Sequence, residues 1–115
     1  MQVRRASSRD VETLTRLAHD SARELGLMTA IDADRLKAHA FGPQPLIECY
    51  LAEERPGRAA GHALVTKGYD FRRAAATLQV GDLYVVPEYR HAGTARLLIS
   101  AIARRAIELG SREIT

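Results

Sequence analysis

The chain has 115 residues and a mass of 12.7 kDa, which predicts a single domain over residues 1–115 with one hydrophobic core. Hydrophobic residues make up 46% of it and charged residues 27%, a balance that excludes an intrinsically disordered chain. The net charge of +3 comes from 15 arginines and 2 lysines that form no continuous basic run, so we expect no nucleic-acid partner.

Signals for membrane insertion and export are missing from the sequence pattern. No apolar run approaches the roughly 18 residues that span a bilayer, so we expect no membrane partner. Residues 1–5 lead into polar residues rather than the apolar core of a signal peptide, which predicts a cytoplasmic protein. Cys49 is the only cysteine, which excludes an intrachain disulfide, and we expect no metal site.

The first half of the chain predicts one strand and two helices. Residues 2–6 fit a short strand, and Ser7 with Asp10 has the spacing of a capping box, which opens a helix. Apolar residues then recur at three- and four-residue steps, which predicts a helix over 7–26. A second start signal, at Thr29 and Asp32, opens a shorter helix that runs through Leu36 to about Phe41.

Three strands are predicted next. Residues 46–52 and 59–66 are rich in strand formers and flank an Arg-Pro-Gly-Arg turn, which predicts an antiparallel hairpin. Residues 68–75 are polar and predict a connecting loop. Residues 77–86 carry the strongest strand pattern in the chain, and a proline ends it.

A long helix and the opening of one more strand complete the pattern. Residues 93–109 predict the helix, and residues 111–115 predict the start of the strand. A strand, a helix and a strand in this order form a βαβ crossover, which we expect to be parallel and right-handed. The predicted fold class is therefore α/β, with a mixed, mostly antiparallel sheet, one βαβ crossover and helices on both faces.

The segment between the last predicted strand and the long helix carries the chemistry. Arg90 lies in a short loop, Gly93 opens the helix and Ala95 keeps its first turn small. The free N–H groups of that turn and the positive end of the helix dipole form an anion site suited to phosphate. The loop lacks the Gly-Lys-Ser/Thr end of a Walker A motif and the three glycines of a dinucleotide fingerprint.

Arg90-x-x-Gly93-x-Ala95, placed after a strand that ends in Leu-Tyr-Val-Val-Pro-Glu-Tyr, resembles the acetyl-CoA signature of the GNAT N-acetyltransferase superfamily, which is Gln/Arg-x-x-Gly-x-Gly/Ala. The helices and the hairpin before it are similar to the N-terminal half of that family. Residues 81–85, Gly-Asp-Leu-Tyr-Val, further resemble the diamine and spermidine/spermine acetyltransferase branch. The similarity covers nearly all of the chain.

This resemblance implies a GNAT-type fold and an acetyl-CoA-dependent N-acetyltransferase. The acetyl group would pass by direct attack to the primary amine of a small molecule or peptide. The family also has a β-bulge in the fourth strand, expected here near Leu83 or Tyr84. The residues that would contact acetyl-CoA are those at the end of the strand and in the loop: Leu83, Tyr84, Val85, Arg90, His91, Ala92, Gly93, Thr94, Ala95 and Arg96.

Two side chains are candidates for proton transfer by the same resemblance. Gly81 stands where the polyamine branch tends to carry a glutamate, so Asp82 is the nearest substitute for a general base, and Tyr84 is the candidate acid. Both residue types are common as structural groups on strands as well. Cys49 and His62 lie in the hairpin, where a core-filling thiol and a structural histidine are expected.

The family continues past the crossover helix with further strands and a helix, whereas the sequence stops at Thr115, inside the next predicted strand. The chain is thus C-terminally short for the family, and three alternatives remain open: a truncated chain, a cleft completed by another subunit, or loss of catalysis. In the last case the chain is a non-catalytic CoA-binding or protein-interaction module. An unpaired edge on the strand over 77–86 predicts a homodimer or a larger homo-oligomer.

Overall fold

The computed structural model describes residues 1–111 and 113–115. Three α-helices and four strands make up the described part of the chain, with short 3₁₀ turns before the first and last helices. In chain order they are β1 (Gln2–Arg5), α1 (Val11–Glu24), α2 (Ala33–Phe41), β2 (Ile47–Arg55), β3 (Arg58–Asp70), β4 (Ala75–Val85) and α3 (Thr94–Glu108). None of these helices is long and apolar enough to cross a membrane.

The strands form one sheet in the order β1-β2-β3-β4, and each neighbouring pair is antiparallel. Ile114 adds a parallel bridge to Leu78 at the outer edge of β4. Leu78 donates its N–H to Glu113 O at 3.1 Å, and Val80 donates to Thr115 O at 2.8 Å. The segment after α3 therefore returns parallel to β4, and the predicted mixed, mostly antiparallel sheet with a βαβ crossover is confirmed.

The helix starts follow the predicted capping signals. Ser7 and Asp10 form the capping box, with Ser7 N–H donating to Asp10 Oδ2 at 2.8 Å, although a 3₁₀ turn at Ser8–Asp10 precedes α1. Asp32 caps α2 by accepting the N–H of Arg35 at 2.7 Å. A side-chain acceptor at these positions satisfies N–H groups that the helix itself leaves free.

The sheet is covered on both faces, as predicted. Helices α1 and α2 pack on one face over a cluster that includes Leu14, Leu17, Leu36, Leu51 and Leu64. Helix α3 packs on the other face over a second cluster: Tyr50, Ala52, Ala60, Ala63, Val65, Leu78, Leu98, Ala101, Ile102 and Ala106. Each face of the sheet therefore buries its own set of alternating residues.

The predicted loop over 68–75 is wrong in most of its length. Strand β3 runs to Asp70 and β4 starts at Ala75, so the hairpin is longer than expected and only residues 71–74 connect it. Gly68 lies opposite Thr77, where a Cβ on the glycine would come 2.7 Å from Thr77 Oγ1. Backbone pairing extends through this polar stretch because ladder hydrogen bonds need no apolar side chains.

A β-bulge lies in β4 at Gly81, not near Leu83 or Tyr84 where the resemblance placed it. Leu64 pairs with Asp82 and Val65 pairs with Val80, which leaves Gly81 as the extra residue. Before the bulge, the alternate residues of β4 face α3, whereas after it Asp82 and Tyr84 face α1. A glycine suits this position because it has no side chain to place on either face.

Candidate functional site

A cleft of about 830 Å³ opens between the C-terminal end of α1, the second half of β4 and the start of α3. Helix α1 and β4 form its two walls, and the loop between β4 and α3 forms its end. Its lining combines apolar residues with a few charged ones: Ser21, Glu24, Leu25, Asp82, Leu83, Tyr84, Val85, Tyr89, Arg90, His91, Gly93, Thr94, Ala95 and Arg96.

The loop before α3 turns its backbone N–H groups outward. A 3₁₀ turn over Pro87–Tyr89 follows β4, and His91 and Gly93 then take left-handed conformations with φ of +69° and +83°. The first helical hydrogen bond of α3 runs from Leu97 N–H to Gly93 O at 3.1 Å. The N–H groups of the three residues before Leu97 therefore have no acceptor within the helix. Alternating left-handed residues of this kind form anion-binding concavities.

Side-chain contacts fix this loop in place. Thr94 is buried and donates its hydroxyl to Tyr89 O at 3.3 Å. The Tyr89 hydroxyl accepts from Arg58 Nε at 2.8 Å and donates to Glu54, which ties the loop to the β2–β3 hairpin. The N–H groups at the start of α3 are thus held in a defined direction without a ligand.

Arg90 contacts the protein rather than extending into solvent. Its Nε donates to Val85 O at 3.0 Å, and its Nη2 donates to Glu24 Oε2 at 2.6 Å. The guanidinium also lies 5.7 Å from the centre of the Tyr84 ring. The contact with Arg90 holds the pKa of Glu24 below its usual value. Arg90 therefore connects the loop to the end of α1 across the cleft.

The outer edge of β4 presents backbone groups along the cleft, of which Val85 O already accepts from Arg90. Val86 N–H donates to Ala60 O at 2.8 Å, so after the bulge the even-numbered residues pair with β3. The N–H and C=O groups of Leu83 and Val85 consequently point away from β3. Hydrogen bonds from the segment after α3 reach only as far as Val80 among the described residues. Leu83 C=O and Val85 N–H therefore face the cleft, while Val85 O is bound by Arg90.

Asp82 lies at the inner end of the cleft and is held by two donors. His62 Nε2 lies 2.7 Å from Asp82 Oδ2, and Ser21 Oγ donates to Oδ1 at 2.8 Å. Burial raises the pKa of Asp82, but the hydrogen bonds from His62 and Ser21 outweigh it and bring the pKa below its usual value. The carboxylate is therefore ionised at neutral pH.

Tyr84 forms the boundary between the cleft and the core under α1. Its ring is buried, and it meets the ring of His62 edge-on with centroids 6.4 Å apart. Burial, followed by the nearby carboxylates of Glu24 and Asp20, raises the pKa of Tyr84. The hydroxyl therefore keeps its proton at neutral pH.

The residues singled out from the sequence mostly come together in this cleft. Asp82 and nine of the ten expected cofactor-contact residues line it, and Ala92 does not. Cys49 is buried in the core, where burial raises its thiol pKa to about 12, so it is no nucleophile. Sequence reasoning missed the α1 residues of the lining and the contact of His62 with Asp82, because no local pattern pairs segments so far apart in the chain.

Comparison with known proteins decides the family. The family model described as "Acetyltransferase (GNAT) family" matches residues 11–115. The chain belongs to this GNAT family. Within the family, it is 29% identical to the thialysine N-epsilon-acetyltransferase of Bos taurus, over 99% of this chain and 72% of that protein. It is 30% identical to the Sus scrofa enzyme of the same name, over 94% of this chain and 68% of the relative.

Solved structures agree with this family. An integron cassette protein from the Cole Harbour Salt Marsh metagenome has a TM-score of 0.84 at 26% identity, over 98% of this chain and 74% of that one. A ribosomal-protein-alanine N-acetyltransferase from Brucella melitensis shares the fold with a TM-score of 0.78 at 19% identity, over 100% of this chain and 78% of its own. This GNAT chain is therefore an N-acetyltransferase, an enzyme that transfers an acetyl group to an amine. The alternative of a non-catalytic binding module is not favoured.

Proposed function

We propose that this GNAT enzyme binds acetyl-CoA in the cleft and transfers its acetyl group to the primary amine of a small molecule. The names of the relatives make the ε-amine of thialysine the first acceptor to test. The main support for the cofactor is the start of α3, where Gly93 and His91 turn free N–H groups into the cleft. A phosphate anion fits such a site without further charged ligands.

The residues present fit acetyl-CoA along the whole cleft. The N–H groups of Thr94, Ala95 and Arg96, with the positive end of the α3 dipole, would hold the pyrophosphate. The outward C=O of Leu83 and N–H of Val85 would hold the amide-rich pantetheine arm, as an added strand is held at a sheet edge. The cleft volume of about 830 Å³ lies within the range of small-molecule sites.

Acetyl-CoA, when bound, supplies the acetyl group as a thioester whose carbonyl carbon an uncharged amine attacks. A primary amine carries a proton at neutral pH, with a pKa of about 10. We assign Asp82 to accept that proton at its carboxylate on the way to solvent. We assign the Tyr84 hydroxyl, which keeps its own proton, to donate one to the departing sulfur.

Calorimetric titration of acetyl-CoA into the wild type, Gly93→Asp and Gly57→Asp tests the cofactor site. Both glycines are left-handed, with φ of +83° and +86°, and a Cβ at either meets no atom within 4 Å. The two substitutions therefore carry similar backbone strain, but only Gly93→Asp adds a carboxylate beside the free N–H groups. We expect micromolar binding by the wild type and Gly57→Asp, and a loss of at least about tenfold in Gly93→Asp. Equal loss in both variants, or no binding by the wild type, would contradict the proposed site.

The acceptor is tested by thiol release from acetyl-CoA with thialysine, lysine, spermidine and a short peptide. We expect turnover with thialysine and a kcat/KM at least about tenfold lower in Asp82→Asn, since the amide carries no charge for the amine. Turnover of the peptide alone would replace the small-molecule acceptor by a peptide amine. The homo-oligomer and the cytoplasmic location stay predictions, and light scattering at micromolar concentration tests the first.

A further inference from the structure

Asp82 differs from four other acids of this arginine-rich chain in its hydrogen-bond donors. Four acids accept hydrogen bonds from an arginine at 2.6–2.9 Å, namely Asp10, Glu24, Glu48 and Glu53. Asp82 has no arginine or lysine within 4.0 Å among the described residues, and His62 is its basic partner. Its side chain is 26% exposed, toward the cleft.

His62 is fully buried and makes one polar contact. An ionised carboxylate only accepts hydrogen bonds, so the nitrogen facing Asp82, Nε2, carries the proton. The other ring nitrogen, Nδ1, is buried with no hydrogen-bond partner in the described part of the chain. Burying an imidazole with an unpaired nitrogen costs free energy, so stability alone gives no reason for a histidine here.

Ser21 completes the arrangement from the opposite side. It is buried on α1 and donates to Oδ1, whereas His62 on β3 donates to Oδ2. One donor on each oxygen, from two different elements, fixes both the position and the plane of the carboxylate. The bulge at Gly81 is what turns Asp82 toward these two residues.

We propose that His62 and Ser21 are positioning residues that hold the Asp82 carboxylate as an anionic subsite, which binds the acceptor as its ammonium ion. This inference rests on the proposed function and assigns the recognition of the amine to one carboxylate. His62 and Ser21 each donate one hydrogen bond, which leaves further acceptor positions on both oxygens for a ligand, whereas a bidentate arginine would occupy both oxygens. The subsite takes a primary ammonium group and fixes its nitrogen at the inner end of the cleft.

The other acids near the cleft are paired with arginines. On α1, Glu24 binds Arg90 of the loop at 2.6 Å, and Asp20 binds Arg23 at 3.1 Å. On β4, Tyr84 keeps its proton because burial raises its pKa. His91 and Arg96 lie at the other end of the cleft, beside the start of α3. The negative charge at the inner end therefore belongs to Asp82.

Steady-state kinetics with thialysine separates positioning from a merely structural role. We compare His62→Phe, which removes the donor, with His62→Gln, whose amide restores one near Nε2, and we add Ser21→Ala. We expect His62→Phe to lower kcat/KM for thialysine at least tenfold, mainly through KM, while His62→Gln stays within about threefold of the wild type. The Kd for acetyl-CoA should change less than twofold in each. Equal losses in His62→Phe and His62→Gln, or losses shared by acetyl-CoA binding, overturn the assignment.

A second measurement needs no turnover. Carboxyl ¹³C NMR follows Asp82, assigned by its loss in Asp82→Asn, through a pH titration. We expect its titration midpoint to rise in His62→Phe and in Ser21→Ala, because each loses a hydrogen bond to the ionised form. Added thialysine should shift the Asp82 resonance in the wild type. An unmoved midpoint or resonance overturns the subsite even if acetyl-CoA binds, whereas both responses without acetyl-CoA binding sustain it and refute the proposed cofactor site.

Discussion

The Tyr84 side chain both packs in the hydrophobic core and lines the cleft. Its ring packs in the cluster under α1, and its edge lines the cleft next to Arg90. Tyr50 has a similar setting on the other face of the sheet, where burial also raises its pKa and its hydroxyl lies 3.3 Å from Glu48. The two tyrosines therefore differ mainly in whether they face the cleft.

Removing the Tyr84 hydroxyl tests the proposed proton donor. We expect Tyr84→Phe to lower kcat by about tenfold or more with little change in the KM for acetyl-CoA, because a positioned acid contributes on this scale. Steady-state thiol release measures both constants. Tyr50→Phe is the matched control and should retain kcat within about twofold. Equal kcat values for wild type and Tyr84→Phe would show that the proton reaches the sulfur by another route.

Prediction at the scale of single residues depends on how local the signal is. Arg90, Gly93 and Ala95 lie within six residues of one another, so their spacing alone indicates an anion site. The ion pair of Arg90 cannot be predicted from local spacing, because its partner Glu24 lies 66 positions away on α1. The contact of His62 with Asp82 is not predictable for the same reason, because it exists only once β3 and β4 have paired.

Helix α3 shows how one element divides into a buried and an exposed face. Ile102 is fully buried against the sheet, whereas Ile107, five residues later, is 77% exposed. We expect Ile102→Ala to lower the free energy of unfolding by about 2–5 kcal/mol, since it leaves a cavity in the core. Ile107→Ala removes the same atoms from the surface and should cost less than about 0.5 kcal/mol. Urea denaturation measures both, and similar losses would mean that α3 is packed differently.

The Arg4–Asp10 pair joins β1 to the start of α1. Arg4 donates to both oxygens of Asp10 at 2.8 Å and to Glu53 of β2 at 2.8 Å. The hydrogen bond from Arg4 lowers the pKa of Asp10 to about 2 against the opposing effect of burial, and Ser7 N–H adds to the lowering. The folded state therefore binds the Asp10 proton less readily than the unfolded state does.

This shift predicts a pH-dependent contribution to stability. A lowered pKa stabilises the fold above the unfolded value of 3.8, and the contribution is lost as the pH falls toward about 2. We expect Asp10→Asn to destabilise by about 1–2 kcal/mol at pH 7, with the difference from wild type shrinking below about pH 4. Urea denaturation from pH 2 to 7 measures it, with the exposed Asp34→Asn as the control. A constant difference across that range would refute the linkage.

Elements were predictable where periodicity or a cap marks them. The capping signals at Ser7 and Asp32 and the helical spacing after them correspond to real helix starts. The long hairpin was not predictable beyond Thr66, because its polar end is held by backbone pairing that leaves no side-chain pattern. The bulge at Gly81 also has no clear local signal, since a lone glycine in a strand has several structural meanings.

At the scale of the whole molecule, the net charge of +3 provides a mild positive field for a polyanion. His91 and Arg96 lie at the end of the cleft assigned to phosphate. We expect the affinity for acetyl-CoA to fall by about threefold or more between about 50 and 500 mM NaCl, because salt screens exposed charges. Calorimetry with acetyl-dephospho-CoA, which carries less charge, should show a shallower dependence. An equal salt dependence of the affinity for acetyl-CoA and for acetyl-dephospho-CoA would contradict an electrostatic contribution from the protein's field.

The whole-molecule arrangement explains why the sequence pattern marks one end of the cleft and not the other. The end proposed for the cofactor is built from one continuous segment, the end of β4 with the loop and the first turn of α3. The end proposed for the acceptor is assembled from Ser21, His62 and Asp82, which three separate elements contribute. Only the packing of α1 on the sheet brings these three side chains within hydrogen-bond distance.

The extra residue at Gly81 shifts the alternation of side chains along β4 by one position. Every residue of β4 after it has the opposite parity from the one that simple alternation would assign. Deleting Gly81 would restore the alternation and turn the Asp82 carboxylate toward Leu98 and Ile102, into an apolar layer that cannot solvate it. Residues of β4 before the glycine therefore pack against α3, whereas those after it line the cleft and pack under α1. Because the two halves of β4 face different helices, the cleft residues after Gly81 can be substituted while the contacts between the first half of the strand and α3 are left in place.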